Sequence, residues 1–310
     1  MIDKPTDILT QFPVRKSKRQ KQDFRAVIRQ YAGSLGYEST MEKGSLGSVN
    51  IVIGDPSKAK YLVTAHYDTC AALPVPNLIT PCNFWPFLAY QLFVTALMII
   101  PAMVIGVIVG GLTQEYLFGS WTSLLLLYVS MYMMLFGPAN KNNANDNTSG
   151  VITVLEMART LPEELRGQIC FVLFDLEEAG LIGSASYRNL HKKEIKNQIV
   201  LNLDCVGDGD DILFFPTKKL KKNETMISGL RTCCGEFGGK TITIREKGFA
   251  MYPSDQKNFP YGVGICALRK SRFGLYISRI HTKRDTILEE ANVDLLSKIL
   301  IGMIDKKSQS

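Results

Sequence analysis

Residues 169–180 of the 310-residue chain read ICFVLFDLEEAG, and they decide the fold more than any other stretch. Residues 169–174 form an apolar run rich in β-branched and aromatic side chains, which predicts a strand that is buried on both faces. Glu177 and Glu178 follow that run, and residues 179–190 then show helical periodicity. We therefore expect a buried strand that ends in acidic side chains and leads into a helix.

The same alternation of strand and helix patterns recurs along most of the chain. Further runs of strand composition cover residues 49–53, 61–66, 200–206, 212–215, 241–244, 265–268 and 275–281. Helical periodicity covers residues 23–34, 149–161, 224–237 and 292–304. With 46% apolar and 21% charged residues, the chain can form a core and is too weakly charged to be disordered. We predict an α/β fold, a largely parallel mixed sheet with helices on both faces.

One long segment differs from the rest in composition. Between residues 69 and 140 the only charged side chain is Glu115, although the chain holds 36 basic and 29 acidic residues. Residues 84–111 and 117–136 are uncharged runs of 28 and 20 residues. A helix needs roughly 20 residues to cross a bilayer. Two membrane spans are therefore expected, and two buried core helices are the alternative.

The flanks of these runs favour the membrane. Both tryptophans, Trp85 and Trp121, lie near the start of a run, where interfacial aromatic side chains are common. We predict a transmembrane helical hairpin over residues 84–137. It interrupts a discontinuous domain that consists of residues 1–83 and 138–310.

Charge predicts how the hairpin is oriented. Two spans return the chain to the side that it left, so both parts of the discontinuous domain share one side of the membrane. The turn between the spans has no Lys or Arg, whereas the shared side carries all 36. The positive-inside tendency therefore predicts an integral membrane protein whose large domain is cytoplasmic. The seven cysteines, odd in number and without C-x-x-C spacing, suit reduced thiols in that compartment.

Small residues repeat within the first span. Ala102, Gly106 and Gly110 stand four residues apart, which lets another helix approach closely. That helix is either the second span or the hairpin of another copy. Homo-oligomerisation through the hairpin is therefore one expectation, and lipid around residues 84–137 is another.

A basic cluster lies near the start of the chain. Five of the seven residues from 15 to 21 are basic. They could form a nucleic-acid patch, a solvated lead-in to a helix that Asp23 caps, or a contact with anionic lipid headgroups worth about 1 kcal/mol per residue. The solvated lead-in is favoured, and we predict no nucleic-acid partner.

Histidine and acidic side chains mark the ends of the predicted strands. In chain order they are His66, Asp68, Glu177, Glu178, Asp204 and His281, and Asp146 opens the helix that follows the hairpin. Ligands of such sheets bind beyond the carboxyl ends of the strands, so these side chains are expected to meet. A structural histidine or a helix cap would explain each one alone. Together, two imidazoles and three carboxylates are a donor set that holds two Zn²⁺ ions.

In order and context, these segments resemble the zinc metallopeptidase family of bacterial leucyl-type aminopeptidases, glutamate carboxypeptidases and glutaminyl cyclases, metallopeptidase family twenty-eight. The resemblance covers about residues 45–305 and is interrupted by the hairpin. It implies an aminopeptidase-like fold with two zinc ions. The implied ligands are His66 and Asp204 for the first ion, Glu178 and His281 for the second, and Asp146 as the bridge.

The resemblance also implies roles for side chains that do not bind metal. Glu177 resembles the general base, and Asp68 resembles the acid that orients His66. The segment from Ser254 and Asp255 to Phe259 and Gly262 resembles a pocket wall. Where the family often has Tyr before the last ligand, this chain has Ile280. Tyr252 and Tyr261 are the alternative stabilisers of the oxyanion, since Tyr276 is expected on the other strand face.

These features predict a membrane-anchored dizinc exopeptidase. The expected activity is that of an aminopeptidase, which removes N-terminal residues from peptide substrates at the cytoplasmic membrane surface. A carboxypeptidase or a glutaminyl cyclase is the alternative within the same chemistry. A catalytically silent membrane scaffold that only binds peptides is the alternative outside it.

Overall fold

The computed structural model describes residues 2–75 and 77–308. The helices are α1 Ile8–Gln11, α2 Lys18–Ser34, α3 Phe84–Thr113, α4 Tyr116–Phe136, α5 Gly150–Thr160, α6 Ile182–Leu190, α7 Lys218–Lys221, α8 Glu224–Arg231 and α9 Glu290–Ser308. The strands are β1 Ser39–Lys43, β2 Val49–Ile53, β3 Tyr61–His66, β4 Ile169–Phe174, β5 Ile199–Leu203, β6 Asp211–Pro216, β7 Gly235–Phe237, β8 Lys240–Ile244, β9 Gly262–Ser271 and β10 Gly274–Tyr276.

All ten strands form one mixed sheet. Its order is β1-β2-β4-β3-β5-β9-β6-β8-β7, and β10 pairs with β9 beside this path. Strand β3 lies parallel to β4 on one side and to β5 on the other, and β5 lies parallel to β9. The pairs β1–β2, β2–β4, β6–β9, β9–β10 and β7–β8 are antiparallel, and β6 lies parallel to β8, so parallel pairing dominates only in the centre of the sheet. The predicted α/β class with a mixed sheet is therefore confirmed.

Helices cover both faces of the central strands. Alternate residues of β3 belong to different core clusters, with Val63 on one face and Leu62 on the other. The Val63 face packs against Phe24 of α2 and Val154 of α5. The Leu62 face packs against Tyr187 of α6. Burial on both faces explains why these strands are apolar throughout.

The strand predicted over residues 200–206 ends at Leu203, and two other predicted elements end five or six residues earlier than expected. The helix predicted over residues 224–237 stops at Arg231, because the chain forms a hairpin of β7 and β8 instead. Gly238 and Gly239 both have positive φ and make the two-residue turn of this hairpin. A Gly-Gly pair is typical of such turns, but the helical periodicity around it favoured a helix in the prediction. The strand predicted over residues 275–281 stops at Tyr276, and the next residue, Ile277, forms an isolated antiparallel bridge with Ile79 instead of continuing β10.

The two apolar helices α3 and α4 stand outside the core. Each is long and apolar enough to cross a membrane, and only 11% and 6% of their most apolar windows are buried inside the protein. Large side chains such as Val107, Leu125 and Tyr132 are exposed. A soluble core helix buries its apolar stripe. The alternative of two buried core helices is therefore not supported.

The small residues of α3 pack against α4. Ala102, Gly106 and Gly110 are the buried residues of α3. A Cβ added at Gly106 would lie 2.6 Å from the carbonyl oxygen of Gly119 in α4, closer than side chains approach. Of the two partners expected for this stripe, the neighbouring helix α4 of the same chain occupies it.

The basic cluster of residues 15–21 is not solvated over its whole length, because Arg15 and Lys21 are buried. Ser17, not Asp23, caps α2, because its side chain accepts a hydrogen bond from the backbone N–H of Gln20. Arg15 is fully buried and donates from Nε to the carbonyl oxygen of Tyr67 at 2.6 Å. Lys21 is also buried, since it pairs with a distant acid.

We expect Lys21→Met to destabilise the protein by about 3 kcal/mol, because it leaves a buried carboxylate without its closest cation. Lys21 Nζ lies 2.5 Å from Asp175 Oδ1, whereas Arg25 lies 3.7 Å from the other oxygen. Urea unfolding in detergent measures the loss. Lys18→Met, on the exposed side of the same helix, is the control and should change stability by under about 0.5 kcal/mol. Equal effects of both variants would contradict the buried pair.

Candidate metal centre

The central parallel strands bring three of the site's segments to one edge of the sheet. In the register of β3 and β4, His66 is opposite Phe174, so the residues after both strands start at the same level. Asp204 directly follows β5, the other neighbour of β3. The acids and the histidine predicted at the strand ends therefore meet.

Two loops complete the cluster from opposite directions. Asp146 belongs to the turn Ala144–Ser149, which precedes α5 and in which Asp146 has extended backbone angles. His281 lies in the segment between β10 and α9. Its carbonyl oxygen accepts a hydrogen bond from the backbone N–H of Leu73 at 2.8 Å, which fixes this segment against the chain that follows β3.

Asp146 stands between the two histidines. Its Oδ1 lies 3.2 Å from Nε2 of His66, and its Oδ2 lies 3.0 Å from Nε2 of His281. Each of the two carboxylate oxygens therefore faces a different imidazole. Asp204 Oδ1 lies 3.6 Å from His66 Nε2, and Glu178 Oε2 lies 3.5 Å from His281 Nε2. The five side chains predicted as metal ligands thus form two half-sites that share Asp146.

Asp68 organises the cluster from behind. Its Oδ1 lies 3.4 Å from Nδ1 of His66, the ring nitrogen that faces away from Asp146. The same carboxylate accepts the backbone N–H groups of Glu177 at 3.0 Å and Glu178 at 3.2 Å. One buried acid thus faces an imidazole and holds the turn that carries both glutamates.

Asp285 holds the backbone of the Asp146 turn. Its oxygens accept hydrogen bonds from the backbone N–H groups of Asn145 at 2.7 Å and Asp146 at 3.0 Å. Burial, together with the charge of Asp146, raises the pKa of Asp285 to about 7. No local pattern in the sequence indicates this pairing, because Asp285 and Asn145 are 140 positions apart.

The charges of the cluster fit divalent cations. Burial raises the pKa of Glu178 to about 8 and that of Glu177 well above its usual range. Burial also raises the pKa of Asp146, but hydrogen bonds from the two histidines outweigh it and hold this pKa below its usual range. Among the described residues, the buried Oε1 of Glu178 has no hydrogen-bond partner. The cluster thus holds more carboxylates than cationic groups, and one buried carboxylate oxygen is unpaired. A bound cation would compensate both features.

The cluster opens into a cavity of about 360 Å³. Besides the predicted site residues His66, Asp146, Glu177, Glu178, Asp204 and His281, it is lined by Asn77, Ile79, Phe87, Gln91, Cys205, Met251, Tyr252, Pro253 and Ile280. That volume is near the lower end of the range usual for small-ligand sites, roughly 300 to 1,000 Å³. It can take one residue and the adjoining amide of a peptide.

The pocket wall differs from the expected segment. Met251, Tyr252 and Pro253 line the cavity, whereas Ser254 and Asp255 are fully buried. Asn202 of β5 donates a hydrogen bond to the hydroxyl of Ser254 at 3.0 Å, which holds this segment inside the protein. Phe259 stacks on Phe174 in the core, 5.9 Å between ring centroids, and Gly262 begins β9. The wall therefore precedes the predicted segment.

The three tyrosines that were considered as stabilisers of the oxyanion have different surroundings in the structure. Tyr252 lies in the cavity, and its hydroxyl donates to the carbonyl oxygen of Asp204 at 2.9 Å. Tyr261 instead lies under the ammonium group of Lys219, 4.7 Å from the ring centroid. Tyr276 ends β10 and does not line the cavity.

Cys70 is a neighbour that sequence reasoning missed. Its sulfur lies within 4.8 Å of ligand atoms of Glu178 and His281. Burial and the surrounding carboxylates raise the pKa of Cys70 well above its usual range, so the group is a neutral thiol. The residue follows His66 by four positions, but nothing in the sequence distinguished it from the other six cysteines.

Comparisons with known proteins agree with this geometry. A model of peptidase family M28 matches residues 129–301, which is more than half of the chain. The aminopeptidase YwaD of Bacillus subtilis (strain 168) is 46% identical over an alignment of 133 residues, and the match covers 38% of this chain and 29% of that protein. The match thus spans under a third of the length of this curated relative.

Solved structures share the fold at low identity. The LapA aminopeptidase of Legionella pneumophila superposes with a TM-score of 0.57 at 16% identity, over 97% of this chain and 68% of that chain. The glutaminyl cyclase of Porphyromonas gingivalis superposes with a TM-score of 0.58 at 18% identity, over 98% of this chain and 96% of that chain. At these identities the likeness establishes the fold alone.

Proposed function

Because the chain belongs to peptidase family M28, we propose that it is a membrane-anchored dizinc exopeptidase. Its activity is that of an aminopeptidase, which removes N-terminal residues from peptides at the cytoplasmic membrane surface. The observation that carries the proposal is Asp146, whose two oxygens face His66 at 3.2 Å and His281 at 3.0 Å. A carboxylate held between two imidazoles suits the bridge of a two-metal site.

The ligand roles follow from the two half-sites. His66 and Asp204 would hold one zinc ion, Glu178 and His281 the other, and Asp146 both. When bound, the pair of ions lowers the pKa of a shared water and polarises the peptide carbonyl. Asp68 keeps the His66 ring in place through Nδ1 and so keeps Nε2 directed at the site.

Glu177 acts as the general base. It lines the cavity beside Glu178, and its backbone is fixed by the carboxylate of Asp68. Its pKa, raised by burial and by the neighbouring Glu178, is that of a carboxylate that readily accepts a proton. Glu177 takes a proton from the attacking water on a carboxylate oxygen and passes it to the leaving amine.

The cavity favours the amino end of a peptide over the carboxyl end. No Lys or Arg is found among the described residues that line it, so a terminal carboxylate would meet no cation there. The free α-amine, in contrast, would face Glu177 and Glu178. An aminopeptidase fits this charge pattern and a carboxypeptidase does not. A silent scaffold would have no need of the full ligand set.

A glutaminyl cyclase is the second candidate, favoured by the fold shared with the cyclase of Porphyromonas gingivalis. Digestion of a peptide library separates the candidates. Zinc-loaded protein is expected to release single amino acids from free N-termini and to leave acetylated peptides intact, as read by mass spectrometry. Conversion of N-terminal glutamine with loss of ammonia and no released amino acid would instead establish the cyclase. Release from the carboxyl end would contradict both.

We also propose that residues 84–137 form a membrane hairpin within the discontinuous peptidase domain of residues 1–83 and 138–310. The exposed apolar surfaces of α3 and α4 support contact with lipid. All 36 basic residues lie outside the turn between them, which supports a cytoplasmic domain. Because the small-residue stripe is covered by α4, a homo-oligomer through the hairpin would have to use the outer surfaces of the two helices.

Membrane attachment is tested by fractionation. The full-length chain is expected to stay in the membrane pellet after a carbonate wash and to need detergent for extraction, because two apolar helices remain in lipid. A variant in which a short Gly-Ser linker replaces residues 84–137 should appear in the soluble fraction. Recovery of the full-length chain in the soluble fraction without detergent would contradict the spans.

A further inference from the structure

Helix α3 begins the apolar hairpin and also contributes side chains to the cavity. Its first two turns contribute Phe87 and Gln91 to the cavity that holds the candidate metal centre. Phe87 is partly buried, although most of the large side chains further along the helix are exposed. The start of the first apolar helix thus lies over the site instead of beside it.

Several contacts fix this start of α3 to the cavity walls. The rings of Phe84 and Phe87 pack on Phe249, with centroid separations of 5.4 and 5.8 Å. The backbone N–H of Met251 donates to the carbonyl oxygen of Pro81 at 2.9 Å. These contacts hold the segment before α3, and the first turn of α3, against the cavity wall that residues 251–253 form.

Backbone hydrogen bonds also hold the segment before α3 against the opposite wall of the cavity. Ile79 and Ile277 exchange backbone hydrogen bonds at 2.8 and 2.9 Å, just before the segment that carries Ile280 and His281. The segment that enters α3 is therefore held between the two walls. Its position relative to the metal ligands is set by the peptidase domain.

We propose that the first two turns of α3 are the specificity wall of the substrate pocket, and that Phe87 limits the size of the first side chain of the peptide. This inference rests on the proposed aminopeptidase function. Beyond the ligands, the apolar part of the lining includes Ile79, Phe87, Met251 and Ile280. Such a lining accepts an aliphatic side chain, and the Phe87 ring takes the volume that an indole would need.

The hairpin is then part of the active site as well as a membrane anchor. Removal of residues 84–137 would leave all the proposed ligands but remove Phe87 and Gln91. The shortened protein should therefore bind metal and lose its discrimination between N-terminal residues.

The test uses the full-length, zinc-loaded protein in detergent with two peptides that differ only in an N-terminal Leu or Trp. The measured quantity is the ratio of kcat/KM for Trp to that for Leu. Phe87→Ala should raise this ratio roughly tenfold, because it opens the pocket, and Phe87→Trp should lower it. Phe93→Ala is the matched control, since Phe93 is 54% exposed on the same helix and does not line the cavity.

Opposite shifts from the two substitutions cannot come from a general loss of stability. An unchanged ratio in both variants, with active wild-type protein, would overturn the inference and leave the proposed function standing. Wild-type protein that releases neither Leu nor Trp would overturn both. A ratio that moves equally in Phe93→Ala would also overturn the inference, since the effect would then not be specific to the wall.

Discussion

Glu177→Gln is expected to lower kcat roughly a thousandfold while the zinc content stays unchanged. Glutamine has the same shape as glutamate but cannot accept the proton of the attacking water. The hydrogen bonds that hold this turn come from the backbone N–H groups of Glu177 and Glu178 to Asp68, so the substitution leaves them in place. Peptide turnover and bound zinc are measured on the same preparation.

The control for this variant is Glu163→Gln, at an exposed glutamate outside the cavity, which should turn over peptides at the wild-type rate. Equal turnover by Glu177→Gln and the wild type would reject the role of general base. Loss of zinc from Glu177→Gln would instead place this side chain among the ligands.

Asp146→Asn is expected to remove most of the bound zinc and nearly all activity. The carboxylate offers one oxygen to each half-site, at 3.2 Å from His66 and 3.0 Å from His281, whereas an amide offers one oxygen and an N–H donor. The substitution also removes the charge that helps to raise the pKa of His281 to about 9, where burial alone would lower it. Zinc per chain, by elemental mass spectrometry, and peptide turnover are the two readouts.

Asp294→Asn, at an exposed position of α9, is the control and should keep the wild-type zinc content. A variant at Asp146 that still holds its full zinc content and activity would show that this carboxylate does not bridge. Retention of one ion per chain would show that it serves only one half-site.

The strand ends of the site were predictable from local pattern. His66 ends an apolar strand, Glu178 and Asp204 follow apolar strands, and parallel neighbours bring such ends to one edge of a sheet. Asp146 and His281 were predicted at the start of a helix and at the end of a strand, but the structure places both in irregular segments. The resemblance to a family implied their role as ligands, and the structure brings them to within 3.0 Å of each other.

Other features depend on contacts between distant residues, which a local pattern does not contain. Lys21 belongs to a run of basic residues that resembles a solvated surface, yet its partner Asp175 is 154 positions away. Phe87 belongs to an apolar run that resembles lipid-facing sequence, yet it faces the cavity. In both cases the composition of a segment indicates the environment of most of its residues. Tertiary packing places one residue of that segment in a different environment.

The central claim is that His66, Asp146, Glu178, Asp204 and His281 together hold two zinc ions. Diffraction from crystals of the zinc-loaded full-length protein, collected at the zinc absorption edge, tests it most directly. We expect two anomalous peaks that share Asp146, one against His66 and Asp204 and the other against Glu178 and His281. The absence of a peak among these five side chains, or zinc bound elsewhere, would contradict the account.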